Sequence, residues 1–219
     1  MQPEENRLSN LLEASRQLGL ALTAHQGIQL IGHLDLLVKW NKTYNLTAIR
    51  DPAEMVLQHL LDSLAVVPAL RRSTTKASPR ILDVGSGAGF PGLTLAAAMP
   101  DSQIICVDSV GKKIGFIRQV IAELGLANAK AEHSRIENLP NVDADVITSR
   151  AFASLREFTA LTRQHLASDG VWMAMKGKVP DEEIADLELS TQVFHVEQLS
   201  VPGLESERCL VWMRPTLAS

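Results

Sequence analysis

The sequence predicts an α/β fold: a doubly wound, mostly parallel seven-stranded sheet with helices on both faces and a helical extension at its N-terminal end. Two observations support this prediction. From residue 80 onward, short β-branched apolar runs alternate with amphipathic segments, as expected for strands joined by crossover helices. Near the C-terminus, QVFHVEQLSV and RCLVWMRP are separated by the turn-forming PGLESE, which predicts a terminal antiparallel hairpin.

The elements of the sheet domain follow in chain order. The predicted strands before the hairpin are RILDVG, QIICVD, residues 129–132, DADVITS and GVWMAMK. The predicted helices lie near residues 91–98, 111–124, 154–167 and 181–187. Seven strands that end in a hairpin are typical of the class I (Rossmann-like) methyltransferase sheet.

Three helices are predicted before the first strand. Apolar residues at helical spacing mark residues 4–19 and 25–40. The third helix begins at Asp51, which can cap it, continues with Pro52 at the first helical position, and runs to about Leu70. RRSTTKASP then resembles a linker. We therefore expect a helical extension at residues 1–72, packed on a sheet domain at residues 73–219.

Composition restricts the class of protein. The chain has 219 residues, of which 46% are hydrophobic, enough to bury a substantial core. The start MQPEENRLSN has no signal-peptide pattern and we find no apolar stretch of membrane-spanning length, so we expect a cytoplasmic protein without a membrane partner. Cys106 and Cys209 lie in apolar runs and are expected to be buried thiols.

The net charge of −4 has the wrong sign for a protein that coats nucleic acid without selectivity. Any contact with RNA must therefore use local basic residues. The candidates, each with a solvated surface as the alternative, are Arg71, Arg72, Lys76 and Arg80 before the first strand, and Lys112, Lys113 and Arg118 after the second.

A glycine-rich loop predicts a ligand site after the first strand. Gly85, Gly87 and Gly89 follow Asp83 at alternate positions, which allows a tight turn and a close approach of the backbone to a ligand. The dinucleotide fingerprint G-x-G-x-x-G is not met, because Phe90 stands at the last position. This departure disfavours NAD, and Pro91 at the helix start leaves fewer N–H groups for a pyrophosphate.

Asp108 closes the second strand, about where an acidic side chain of this fold binds ribose hydroxyls. A ligand with a ribose but without a phosphate fits both features, and S-adenosyl-L-methionine meets this description. The alternatives left open are an NAD-dependent oxidoreductase and a module that binds RNA without catalysis. Within the methyltransferases, another RNA, a protein or a small molecule remains open as the acceptor.

Six further motifs, in order along the chain, resemble the bacterial ribosomal small-subunit methyltransferase G family, also called glucose-inhibited division protein B. They are WNKTYNLT, HxxDS at residues 59–63, DVGSGAGFPG, VDSVGKK, SRIE at 134–137 and SRAFASL at 149–155. The resemblance implies methylation of N7 of guanine 527, in the 530 loop of 16S ribosomal RNA or of the small subunit, by S-adenosyl-L-methionine. It also implies that Gly85 and Phe90 line the methionine and ribose side of the cofactor. Ile136 and Glu137 would frame the adenine, and Arg150 would make the remaining cofactor contact.

The fourth strand is informative about the reaction. Ser149-Arg150-Ala151-Phe152 follows it in place of the Asn/Asp-Pro-Pro-aromatic motif of amine methyltransferases, and neither cysteine is placed to attack a pyrimidine. Guanine N7 has a free lone pair and needs no general base, so alignment can supply most of the rate. We therefore assign no catalytic base. Arg150 and Lys176 are the candidates for holding the guanine through O6.

The remaining polar residues have weaker assignments. His59, Asp62 and Ser63 share one helix face, where they either wall the substrate side of the site or brace the N-terminal helices on the sheet. The other histidines, including His33, show no ligand spacing, so we expect no metal site. We expect a monomer.

Overall fold

The computed structural model describes residues 2–150, 152 and 154–216. Ala151 and Ala153, which belong to the SRAFASL motif, lie outside the described residues. Besides two short 3₁₀ turns at Ile136–Asn138 and Arg163–His165, ten α- and π-helical segments surround or precede the sheet along the described chain. They are α1 (Gln2–Gln17), α2 (Ala24–Tyr44), α3 (Pro52–Met55), a π-helix (Val56–Leu61), α4 (Asp62–Leu64), α5 (Val67–Ser73), α6 (Gly92–Ala98), α7 (Gly111–Leu124), α8 (Leu155–Thr162) and α9 (Asp181–Ala185).

The seven predicted strands are confirmed. They are β1 (Arg80–Val84), β2 (Gln103–Asp108), β3 (Ala129–His133), β4 (Ala144–Ser149), β5 (Leu166–Lys176), β6 (Thr191–Leu199) and β7 (Arg208–Pro215). The sheet has the order β3-β2-β1-β4-β5-β7-β6. The first five strands run parallel, whereas β7 is antiparallel to both β5 and β6. The chain order reverses between β1 and β4, and ligands bind at the carboxyl ends of the strands beside such a point.

The third helix is not continuous as predicted. Asp51 caps it as expected, because its carboxylate accepts a hydrogen bond from the Ala53 N–H at 2.9 Å. The run then passes into a π-helix over Val56–Leu61 before it returns to α-helical turns. The spacing of apolar residues does not predict this change from α-helix to π-helix, because the apolar residues before and after it still face the core.

The helix predicted near 154–167 ends earlier than expected. α8 stops at Thr162, a short 3₁₀ turn follows at Arg163–His165, and β5 already begins at Leu166. Leu166 pairs with Ala144 of β4 in the sheet. The strand was predicted to start later because the polar Ser168 and Asp169, followed by Gly170, interrupt the apolar pattern near its start.

The helical extension shares its core with the sheet domain. Leu30, Leu34 and Leu37 of α2 are buried in one hydrophobic cluster with residues of α6 and α7, such as Leu93 and Ile117. The Gln26 side chain donates to the Ala97 carbonyl oxygen at 2.9 Å, and the Gln29 side chain donates to that of Leu124 at 2.8 Å. α2 is therefore positioned to touch the loop that precedes α6.

The stretch Pro52–Ser73 has the length and apolar character of a membrane span, contrary to the expectation that the chain has no such stretch. Its mean hydropathy is 1.3 over the most apolar window, and 67% of that window is buried inside the protein. The core helix of a soluble protein gives the same signal, so this feature is weak support for a membrane segment.

Cys106 and Cys209 are free and buried, as predicted.

Candidate functional site

The glycine loop joins β1 to α6 at the carboxyl end of the sheet. Gly85, Gly87 and Gly89 have φ values of +72°, +58° and +85°, in the left-handed region that glycine adopts without steric cost. A Cβ on Gly87 would have only the Gly85 carbonyl oxygen near it, at 3.9 Å, whereas one on Gly89 would lie 2.6 Å from the Leu93 side chain. Gly87 therefore leaves the loop open towards a ligand, and Gly89 allows the loop to pack on α6.

The Asp108 carboxylate connects this loop to the end of β2. Its Oδ2 accepts a hydrogen bond from the Gly87 N–H at 3.0 Å, and its Oδ1 accepts one from the Val110 N–H at 2.8 Å. The Lys113 ammonium lies 3.6 Å from Oδ2. Each carboxylate oxygen has two lone pairs, so Asp108 retains the capacity to accept hydrogen bonds from a ligand hydroxyl.

A cavity of about 410 Å³, which we call the cleft, lies beside this loop. It brings together four residues predicted as cofactor contacts: Gly85, Asp108, Ile136 and Glu137. The sequence patterns predict no role for the other lining residues, although two of them belong to the SRIE motif. The other lining residues are Val84, Val107, Ser109, Ser134, Arg135, Phe152 and Leu161.

Arg150 and Lys176 line a second cavity of about 370 Å³, which we call the side cavity. It lies where β4 and β5 end against the helical extension, and its other lining residues are Ile49, Gln58, His59, Asp62, Met175, Gly177 and Arg208. Arg150 and Phe152, two residues apart after β4, line the side cavity and the cleft respectively. The two cavities are therefore neighbours at the carboxyl edge of the sheet.

The family described as rRNA small subunit methyltransferase G matches residues 26–211, which is most of the chain. The chain belongs to this family. The curated Ribosomal RNA small subunit methyltransferase G of Methylibium petroleiphilum is 58% identical over 203 residues, covering 93% of this chain and 92% of the relative. The protein of the same name from Leptothrix cholodnii is 54% identical over 215 residues, covering 98% and 97%. The family resemblance drawn from the motifs is confirmed.

Solved structures give the same fold. A SAM dependent methyltransferase from Aquifex aeolicus superposes with a TM-score of 0.57 at 17% identity, covering 77% of this chain and 96% of that chain. The ribosomal protein L11 methylase of Lactobacillus delbrueckii subsp. bulgaricus has a TM-score of 0.54 at 15% identity, covering 71% and 79%. These likenesses confirm the class I methyltransferase fold for this member of the methyltransferase G family.

Phe90 of this methyltransferase G chain lies beneath Arg150 rather than in the wall of the cleft. Its ring is 2% exposed and stacks between two histidine rings, with centroid distances of 4.4 Å to His33 and 5.0 Å to His59. The Arg150 guanidinium carbon lies 5.7 Å from the Phe90 centroid. Phe90 therefore packs against His59 and Arg150, two residues that line the side cavity.

His33 belongs to this arrangement, although its position alone gave no ligand spacing. Its Nε2 lies 2.8 Å from the Ala88 carbonyl oxygen of the glycine loop, to which it must donate. Burial lowers the pKa of His33 from 6.5 to about 4. The ring is therefore neutral at pH 7. The sequence did carry a signal, because His33 falls on the buried stripe of α2 that contains Leu30 and Leu37.

The HxxDS motif faces the side cavity and also braces the extension. The Asp62 carboxylate is 2% exposed and pairs with two arginines, Arg150 at 3.3 Å and Arg208 at 2.8 Å. Ser63 is buried and donates to the His59 carbonyl oxygen at 2.6 Å. His59 and Asp62 line the side cavity, and the partners of Asp62 join the extension to β7 and to the residue that follows β4.

Asp83, at the end of β1, is buried beneath the same loop. Its Oδ2 accepts a hydrogen bond from the Gly92 N–H at 2.9 Å. Burial raises the pKa of the carboxyl group from 3.8 to about 6, against the opposing effect of the Gly92 hydrogen bond. Asp83 therefore anchors the start of α6 below the glycine loop.

Most of the basic residues considered for RNA contact bind this chain itself. The Lys112 ammonium donates to the Tyr44 carbonyl oxygen at 2.8 Å, and Arg118 donates to that of Ala131 at 3.2 Å. Before the first strand, Arg71 binds Ala98, Arg72 pairs with Glu197, Lys76 pairs with Asp145, and Arg80 binds Val142.

Among the described residues, no group of three or more His, Cys, Asp or Glu side chains is arranged to hold a metal ion.

Proposed function

We propose that this chain transfers a methyl group from S-adenosyl-L-methionine to N7 of guanine 527 in 16S ribosomal RNA. Membership of the methyltransferase G family supports the reaction and the RNA. The observation that favours guanine as the acceptor is the side cavity, which adjoins the cleft and presents the cationic donors Arg150, Lys176 and Arg208. Such donors match O6 of guanine, an acceptor on the same edge as N7, and leave the N7 lone pair free.

The cleft fits the cofactor. The open side of Gly87 lets the loop backbone approach the methionine end, and the spare lone pairs of Asp108 suit the two ribose hydroxyls. Ile136, which is 6% exposed, offers an apolar surface beside Glu137 for the adenine. When bound, the cofactor would supply a methyl group carried on a positively charged sulfur, and that sulfur would leave as a neutral thioether as N7 bonds to the methyl carbon.

The residues of the side cavity have to hold the base rather than remove a proton. Guanine N7 carries a free lone pair, so alignment and exclusion of other poses can supply most of the rate. Both carboxylate oxygens of Asp62 are occupied by arginines. Asp62 therefore helps to hold Arg150 in the side cavity, where it would donate to O6, and Lys176, held by both Glu183 oxygens at 2.8 and 2.9 Å, would be a second donor.

The experiment that tests this proposal is transfer of labelled methyl from S-adenosyl-L-methionine to small-subunit RNA that lacks its own N7 methylation. Naked 16S RNA and intact small subunits serve as parallel substrates, and nuclease mapping locates the product. Label at one guanine, at N7, is the expected result. Label at another atom, or only in protein or small molecules, would refute the assignment.

The cofactor role of Asp108 has its own test. We expect Asp108→Asn to weaken binding of S-adenosylhomocysteine at least tenfold in calorimetry, because a hydrogen bond to a charged group contributes about 1.5–3 kcal/mol. Asp101→Asn, at an exposed position, is the matched control and should bind normally. NAD should not raise the melting temperature of the wild type. Stabilisation by NAD alone would favour the oxidoreductase alternative.

Arg150→Ala is expected to abolish methyl transfer, whereas Lys176→Ala should reduce it less because Glu183 already neutralises that ammonium. Calorimetry with S-adenosylhomocysteine separates the two roles considered for Arg150. Normal affinity in Arg150→Ala assigns the arginine to the guanine, and lost affinity assigns it to the cofactor. Normal turnover would contradict both.

We also infer that the protein acts as a monomer in the cytoplasm, where ribosomal subunits are assembled. Light scattering on the purified protein tests the first statement, and fractionation with small subunits tests the second. A non-catalytic RNA-binding module is the remaining alternative. The open glycine loop and Asp108 argue against it, because RNA binding does not require a built nucleoside cleft.

A further inference from the structure

The hydrogen bonds of Arg150 determine the chemical state of its neighbour. Arg150 donates from NH1 to the Gln58 carbonyl oxygen at 3.0 Å and to Asp62 Oδ2 at 3.3 Å. Its NH2 lies 3.3 Å from His59 Nδ1. A guanidinium has donors only. His59 Nδ1 must therefore accept this hydrogen bond, which requires that it carries no proton.

The other ring nitrogen of His59 is then the donor. Nε2 lies 2.9 Å from the Thr47 hydroxyl oxygen, which also accepts a hydrogen bond from the Ile49 N–H at 3.2 Å. Thr47 is itself fixed, because its N–H donates to Asn41 Oδ1 at 3.0 Å. The loop after α2 therefore presents an acceptor that selects the Nε2–H tautomer of His59.

The surroundings keep the ring neutral. Burial, and then the Arg150 charge, lower the pKa of His59 from 6.5 to about 4. The charged and titratable groups around the ring are Arg150, His33 across the Phe90 ring, and the residues Asp62, Lys176 and Arg208 of the same cavity. A protonated His59 would place two donors and two positive charges face to face at Nδ1.

We propose that His59, held as the neutral Nε2–H tautomer by the Thr47 hydroxyl, is a positioning residue that orients the Arg150 guanidinium towards the guanine. This inference rests on the proposed function, because it takes Arg150 as the group that holds the base. The three acceptors that Arg150 has among the described residues lie between Gln58 and Asp62, where the chain passes from π-helix to α-helix. Single-turn π segments inside helices are frequent at functional sites. Through Thr47 and His59, the helical extension sets the geometry of an arginine that belongs to the sheet domain.

Three variants separate orientation from packing. His59→Phe keeps a ring to stack on Phe90 and removes the acceptor for Arg150. His59→Asn removes the ring, and its amide oxygen lies near the position of Nδ1. Thr47→Val has nearly the shape of threonine and removes only the hydroxyl, and Thr47→Ser keeps it.

We expect His59→Phe and Thr47→Val to lower kcat/KM for RNA about tenfold or more, the effect of removing a hydrogen bond to or through a charged group. Thr47→Ser and His59→Asn should recover most of the activity. Affinity for S-adenosylhomocysteine should stay within about threefold of wild type in all four, because His59 and Thr47 lie outside the cleft. Active His59→Phe with inactive His59→Asn would assign His59 to packing and overturn the proposal.

A spectroscopic measurement tests the tautomer without any RNA. In ¹⁵N-histidine-labelled protein, the signals lost in His59→Phe identify this ring. The expected spectrum shows a protonated Nε2 and an unprotonated Nδ1 that do not titrate between pH 8 and about pH 5.5. A protonated Nδ1, or titration near pH 6.5, would overturn the proposal. If the wild type fails to methylate RNA while the spectrum is as expected, the proposed function fails and the tautomer assignment stands.

Discussion

Replacing His33 by phenylalanine should make the stability of this protein less sensitive to acid. His33 is 2% exposed, and Nδ1 has no hydrogen-bond partner among the described residues. Phenylalanine keeps a ring against Phe90 and removes the titratable group. At pH 7.5 the variant should be less stable than the wild type by about 1 kcal/mol, because the Ala88 carbonyl loses its donor.

The pH dependence follows from the proton affinity of His33 in the two states. The pKa is about 4 in the folded protein and 6.5 in the unfolded chain, so between these values the unfolded chain binds more protons. The contribution of the neutral His33 ring to the free energy of unfolding is therefore complete above pH 6.5, and it is lost as the pH falls towards 4. At pH 5 the loss is about 2 kcal/mol, at about 1.4 kcal/mol for each unit of pH.

The assay is urea unfolding followed by circular dichroism at pH 7.5 and pH 5. His59 acts in the same direction as His33, and Asp83, whose pKa is raised to about 6, acts in the opposite direction. Both are present in wild type and variant, so their effects largely cancel in the difference. We expect the deficit of His33→Phe at pH 7.5 to disappear or reverse at pH 5. An equal deficit at both pH values would refute the assignment of a buried, neutral His33.

Two pairs of glycine variants provide further predictions. Gly87→Ala and Gly125→Ala both place a Cβ at a left-handed φ, +58° and +62°, with nothing closer than 3.9 Å, so each should lose about 1–2 kcal/mol of stability. Only Gly87→Ala should also weaken binding of S-adenosylhomocysteine in calorimetry; equal affinities in the pair would contradict a cofactor role for the loop. Gly92→Ala should lower the melting temperature by about 4–8 °C, because a Cβ there lies 2.7 Å from the Asp83 carboxylate and a clash of this kind costs about 2 kcal/mol. Gly115→Ala, on the exposed face of α7 with nothing within 4 Å of the Cβ, should instead stabilise by about 0.5–1 kcal/mol, and a loss of stability there would show that local crowding is not the cause at Gly92.

Local sequence patterns were sufficient for the strands and for much of the cleft. β-branched runs such as those of β1 and β2 are short, apolar and bounded by turn residues, so their position follows from composition alone. Gly85 directly follows β1, and Asp108 is the last residue of β2. Since the carboxyl ends of parallel strands meet at one edge of the sheet, residues 23 positions apart in the sequence fall into the same cleft.

Patterns were less informative where long-range contacts decide the backbone. The π-helix after Met55 lies within an apolar run that predicts an uninterrupted helix. Arg150, 92 residues further along the chain, binds the Gln58 carbonyl oxygen at this turn. The residues around Gln58 carry no pattern that predicts a contact with a residue so far away in the sequence.

What the sequence by itself determined is the order of strands and helices, the glycine loop, Asp108 and membership of the methyltransferase G family, because these depend on residues that are neighbours in the chain. Only the tertiary structure decided the roles of Phe90 and His33, which face each other because α2 packs on α6 and α7. It also decided that Asp62 bridges two arginines, since Asp62 and Arg208 are 146 residues apart. Burial also lowers the pKa of His33 and His59, so that both rings are neutral at pH 7. This effect requires the whole fold, because a charged imidazole loses its hydration only when the surrounding elements enclose it.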